Sequence, residues 1–246
     1  MEVHAHTHTE RKKFTHYLWE FLMLFLAVFC GFMAENIREH KVEREREKRY
    51  IKNLVEDLKE DTTAFTQSAI NLNLLVEKDD SLILLLNSPD VKKYGSDLYY
   101  LGRLSSRNYP LAIHDATIQQ LKSSGGLQLI RHDEVTKKII EYYNRVVFIN
   151  YLMEVEILES EDFRKAAVDV FHPIIFNSIV SSADNSILRP PGNPALLTYD
   201  VQALRRLSGL VSYHRNSKLA ISKSQTDMKK AAAELITLIQ KEYNLE

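Results

Sequence analysis

The sequence predicts an all-α protein: one N-terminal transmembrane helix, a charged helical stalk and an antiparallel helical bundle. Three observations carry this expectation. Residues 17–34 form an apolar run with a single charge, Glu20. Farther on, apolar residues recur at the i, i+3, i+4, i+7 spacing of amphipathic helices. Strand-like alternation never persists beyond four or five residues. The segments are a polar tail at 1–13, the span at 14–36, the stalk at 37–50 and the bundle at 51–246.

The tail, MEVHAHTHTERKK, alternates His4, His6 and His8, which reads either as a solvated tail or as a weak divalent-ion tract. The uncharged part of the span, residues 21–34, is only fourteen residues long, a length shared by buried helices and signal-peptide cores. Tyr17 and Trp19 at one end suit a headgroup layer. At the other end the chain turns directly into ENIREHKVEREREKR, and no small-residue cleavage site follows. A retained anchor is therefore expected, with the lipid bilayer as a partner.

At 100° per residue, Glu20, Ala27, Gly31 and Ala34 share one side of this helix, flanked by Met23, Leu24 and Cys30. Phe21, Leu22, Phe25, Phe29, Phe32 and Met33 cover the other. Small residues at 27 and 31 permit close approach of a second helix in lipid. Two readings stand: an interfacial Glu20 with incidental small residues, or a helix-packing face made of Glu20, Ala27, Gly31 and Ala34. Arg11, Lys12 and Lys13 before the span point to an outward-facing, periplasmic domain. The larger Lys/Arg count after it points to the cytoplasm.

The stalk has almost no apolar stripe, and its expected ties are Glu45 with Arg49, Glu43 with Arg46 and Glu45 with Lys48. The bundle's first helix shows Ile51, Leu54, Val55, Leu58, Phe65, Ala69 and Leu72 on one face. It is expected to reach about residue 77, with a short apolar helix at 79–88 before Pro89. Shorter helices are expected at 97–104 and 114–123, the second stopped by Gly125 and Gly126. Residues 134–163 read as a long helix, capped by Asp133 and burying Ile139, Ile140, Tyr143, Val146, Val147, Tyr151, Val155 and Leu158. The Pro/Gly-rich stretch at 182–197 is a loop. The last helix, 199–243, buries Leu204, Leu207, Val211, Met228, Ala232, Leu235 and Ile239, with room for a break near 214–217.

Composition narrows the function. With 45% hydrophobic residues and only 7 Gly and 6 Pro in 246 residues, the chain can build a sizeable core. The net charge of −1 is evenly spread, unlike a nucleic-acid footprint. Cys30 is the one cysteine, so neither an internal disulfide nor a Cys-based zinc site is available. No phosphate loop, dinucleotide fingerprint, H-E-x-x-H, Glu-x-x-His or G-x-S-x-G occurs. His114 with Asp115, and His132 with Asp133 and Glu134, are adjacent pairs that point apart on a helix, so a site would need partners from elsewhere. The tyrosine pairs 99/100 and 142/143 read as core or as the lining of a pocket.

The block AIHDATIQQLKSSGGLQLIRHDEVTKKIIEYYNRV, with the anchor and NLVEDLKED, resembles a family of bacterial single-pass inner-membrane proteins to which no activity is assigned. The matching residues are Leu121, Ser124, Gly125, Leu127, Leu129, Ile130, Tyr142 and Tyr143, and the likeness covers residues 11–150. It implies an inner-membrane location and leaves the role open. The expected role is non-enzymatic: a membrane-anchored protein that binds proteins, a second copy or another membrane protein, with no cofactor, metal or nucleic acid. The alternative is an extracytoplasmic small-molecule sensor signalling through a membrane partner.

Overall fold

The computed structural model describes residues 14–245. The tail with His4, His6 and His8, and the topology argument from Arg11, Lys12 and Lys13, lie outside the described residues. The described chain is all-α, with helices α1 (Phe14–Leu86), α2 (Gly95–Ser105), α3 (Ala116–Ser123), α4 (Asp133–Ala167), α5 (Pro173–Ser178) and α6 (Val201–Tyr243). Turns of 3-10 helix occupy Val91–Lys93 and Gly126–Leu129.

The chain divides between Tyr50 and Ile51 into two compact units. Residues 14–50 are helical throughout and hold one stretch long and apolar enough to cross a membrane, none of it buried. Phe21, Phe25 and Phe29 stack in a ladder with ring separations of 6.3 and 5.9 Å. The stalk ties differ from those expected. Among them are a tie of Arg38 back to Glu35 at the end of the span and one of His40 to Glu43, where exposed side chains select among many nearly equivalent i,i+3 and i,i+4 partners of small energy.

In the second unit the cross-helix bonds define an antiparallel bundle. Asn73, Asp79 and Asp80 going up α1, and Asn87 just past its end, meet Ser222, Lys218, Arg215 and Ser208 going down α6. Glu156 of α4 meets His214 of α6, and His132 beside α4 meets Glu242. α4 and α6 therefore pack along each other in opposite directions. The expected α1 residues Ile51, Leu54, Val55, Leu58, Phe65 and Leu72 are buried, as are all seven expected on α6, while Ala69 is half-buried.

Four local expectations are corrected. α1 does not break near residue 78: no Gly or Pro lies between 32 and 88, and Asp79 and Asp80 bond to α6 instead of starting a helix. α6 has no break at 214–217, because His214 and Lys218 are both held in the core. The residue at the N-cap of α4 is His132, with Asp133 and Glu134 in the first turn, where their charge complements the helix dipole. On α4, Ile140, Val147, Tyr151 and Leu158 are exposed and Val155 is half-buried. The buried face is Val135, Ile139, Tyr142, Tyr143, Val146, Ile149 and Phe163. Gly125 sits at φ 69 in the left-handed region, where lack of a Cβ removes the steric penalty, and so ends α3.

Residues 188–200 form a strap held almost entirely by other segments. Asn193 accepts from the Gly95 amide at 2.6 Å and donates to the Lys92 carbonyl at 2.9 Å. Ser96 donates to the Pro190 carbonyl, Tyr99 to the Ala195 carbonyl, and the Leu197 amide to the Val170 carbonyl. Any Cβ at position 95 would collide with the Pro194 carbonyl, so glycine is needed for this approach.

Candidate functional site

The four residues of the expected packing face, Glu20, Ala27, Gly31 and Ala34, are exposed on α1. A Cβ placed on Gly31 meets nothing within 4 Å. Glu20 has a neighbour on its own helix, with an oxygen 3.0 Å from His16 Nε2. Cys30 is a free, exposed thiol.

Inside the bundle the polar residues form ties between helices. Asp61, fully buried, accepts from the His114 backbone amide at 2.8 Å and from the Tyr142 hydroxyl at 2.9 Å, with His114 Nδ1 at 3.1 Å. Burial raises the Asp61 pKa above the ordinary carboxylate value, and the bonds from His114 and Tyr142 oppose that rise. Tyr142 and Tyr143 are both pushed up, first by burial and then by the charge of Asp61. Lys218 Nζ lies 2.7 Å from Asp79 Oδ2, both side chains being 1–2% exposed. Glu156 lies 2.6 Å from His214 Nε2, and its other oxygen faces Asn108.

His114 thus finds partners on α1, at Glu60 and Asp61, and His132 finds one at Glu242. Each arrangement fixes one element against another. Tyr99, Tyr142 and Tyr143 are core residues. No group of three His, Cys, Asp or Glu able to hold a metal ion occurs among the described residues.

The most conspicuous surface feature is the outer side of α4. Ile140, Val147, Phe148, Tyr151 and Leu158 line it, with exposures from 43% at Ile140 to 65% at Val147. Their spacing keeps them within one stripe of the helix. At about 200 Å² for a fully exposed side chain of this size, they present on the order of 600 Å² of largely apolar surface. That lies at the top of the roughly 300–600 Å² spanned by the largest apolar patch of a typical monomer, a size that often marks a binding surface. The exposed Asn144 and Glu154 share this side of the helix, and charged residues stand at the ends of the stripe: Asp133 and Lys137 near one, Glu161, Asp162 and Lys165 near the other.

The periodicity of α4 put Ile140, Val147, Tyr151 and Leu158 in the core and did not single out Phe148. It missed that the helix carries two apolar faces, and the surplus of apolar residues along 135–158 was the available signal. Compared with known proteins, the chain matches no family, no curated protein and no solved structure.

Proposed function

We propose that this chain is a membrane-anchored, non-enzymatic helical protein that works by binding protein surfaces, first of all a second copy of itself. The observation that carries this reading is the exposed α4 stripe. Turned end for end about its midpoint, a second stripe brings Ile140 to Leu158 and Val147 to Tyr151. The same operation sets Lys137 against Glu161 and Asp133 against Lys165, so the flanking charges complement one another. The stripe supplies most of the roughly 800 Å² that a standard interface takes from each partner. Such an isologous contact closes at two copies.

The anchor offers a second contact through Glu20, Ala27, Gly31 and Ala34, where small residues let backbones approach and the phenylalanine ladder suits acyl chains. Placement in a bacterial inner membrane, with the bundle on the periplasmic side, rests on the apolar helix, the basic tail and the family resemblance.

Native mass spectrometry of the full chain in lipid nanodiscs tests the reading. A dimer or larger species is expected. Val147→Ser with Tyr151→Ser should weaken an α4 contact, and Gly31→Ile should weaken an anchor contact, whereas Phe29→Ile should do neither. A chain that is monomeric throughout the micromolar range sinks the proposal.

A further inference from the structure

A cleft of about 390 Å³ opens where the end of α2, the end of α4 and the short α5 meet. Phe171 and Phe176 form its apolar wall, their rings 5.0 Å apart and nearly parallel at 19°. Its polar lining is Arg103, Ser106, Arg164 and Asn177.

The apolar wall is fixed in advance. The Tyr99 hydroxyl accepts from the His172 amide at 2.9 Å and donates to the Ala195 carbonyl at 3.0 Å, with its ring 5.3 Å from Phe171. Gly102 lets the Phe171 ring lie against α2, since a Cβ there would collide with it.

The charge of the cleft is unbalanced. Arg103 and Arg164 line it and Arg107 lies close by. Their hydrogen-bond partners are Ser106, Asn108 and Asn185. None has a carboxylate within 4 Å among the described residues. The Arg103 guanidinium lies 5.1 Å over the Phe176 ring, and its Nε is buried with no hydrogen-bond partner. Its bond to Ser106 is long, at 3.5 Å. Burial, then repulsion from Arg107 and Arg164, lowers the Arg103 pKa. A partly desolvated guanidinium without a counter-charge is costly, and an anion would complete it.

We propose that this cleft binds a small amphiphilic carboxylate, its carboxylate held between Arg103 and Arg164 and its apolar body against Phe171 and Phe176. A planar guanidinium fork matches a carboxylate. The mostly apolar wall favours a ligand carrying an aromatic or short aliphatic body over a bare anion. The volume falls at the small end of ligand pockets, about 300–1,000 Å³. From Arg164 a hydrogen-bonded path leads inward: Arg164 to Asn108 at 2.6 Å, Asn108 to Glu156, and Glu156 to His214 of α6. Occupancy of the cleft thus bears on a tie between α4 and α6. The inference does not depend on self-association.

Isothermal titration of the full chain in a neutral maltoside detergent, with 3-phenylpropionate as the probe, tests it. Binding at millimolar concentration or tighter is expected, with little from the neutral 3-phenylpropionamide or from inorganic phosphate. Arg103→Gln should weaken 3-phenylpropionate by at least about tenfold, the loss expected for a charged hydrogen bond. Its unliganded melting temperature should be unchanged or higher, because the repulsion is relieved. Val168→Trp, a change at an exposed rim position, should block the cleft while leaving both arginines in place. Equal binding of the amide would mean an apolar pocket only, and equal binding of phosphate a bare anion patch. No binding to the unmodified chain, or unchanged binding in both variants, also overturns the proposal.

Discussion

The inner face of α6 and the outer face of α4 reverse the usual arrangement of polarity. α6 turns Ser208, His214, Lys218, Ser222 and Gln225 into the core, while α4 turns Ile140, Val147, Phe148, Tyr151 and Leu158 to the outside. On α6 most of the inward groups have a specific mate elsewhere in the bundle: Asn87, Glu156, Asp79 and Asn73. Those bonds fix the register of the bundle, because sliding α6 by one turn would strand several buried polar groups at once. On α4 the outward residues stay 43–65% exposed among the described residues. The contrast separates groups committed to the fold from groups left over for something else.

Removing one member of the buried ion pair tests this contrast most severely. Lys218→Met leaves Asp79 buried without its cation and should cost about 3–5 kcal/mol, read from the urea midpoint. Adding Asp79→Leu should recover most of that loss, since an apolar pair of similar volume is tolerated there. A loss below about 1 kcal/mol for Lys218→Met would mean that the inner face of α6 is effectively solvated.

Asp61 offers a gentler probe. Its pKa is raised in the fold above the ordinary value of 3.8, so the native state holds its proton more tightly than the unfolded chain does. Its contribution is therefore complete below about pH 4 and falls as pH rises through the raised value. Asp61→Asn should flatten the stability profile across that window, measured by denaturation at successive pH values. An unchanged slope would move the responsible group elsewhere.

The smallest effect belongs to α4. Val147→Ser with Tyr151→Ser should shift monomer stability by no more than about 0.5 kcal/mol per site, the range of ordinary surface changes. Had these residues been core, as their periodicity suggested, truncation would cost about 2–5 kcal/mol. A melting temperature that drops steeply in the double variant would put the stripe back inside.

This is also where the limits of reading the sequence lie. The apolar rhythm located the buried faces of α1 and α6, because each has one dominant stripe, and the Gly125 stop was legible because only glycine enters its φ without strain. α4 carries two stripes, and periodicity says that a face is apolar without saying what covers it. The arginine cleft was invisible for a different reason. Arg103 and Arg164 are 61 positions apart and meet only through the fold. The single local hint was that Arg103 has no acidic residue three or four positions away. The buried Lys218 was equally hidden, since its partner lies 139 residues earlier.

The strap at 188–200 carries a consequence for the order in which the protein assembles. Its bonds to Gly95, Ser96 and Tyr99 span 98, 94 and 96 residues of chain. Closure entropy rises with the logarithm of loop length, about 0.6 kcal/mol per doubling. Bringing these ends together from an open chain thus costs about 2 kcal/mol more than closing a twelve-residue turn. Once α1, α4 and α6 have docked, the same ends are already near one another, and most of that entropy has been lost in forming the bundle. The strap is therefore a late closure. It adds its hydrogen bonds to a framework that has already met the cost of contact at long range, and it seals Tyr99 and Phe171 from solvent in its last step.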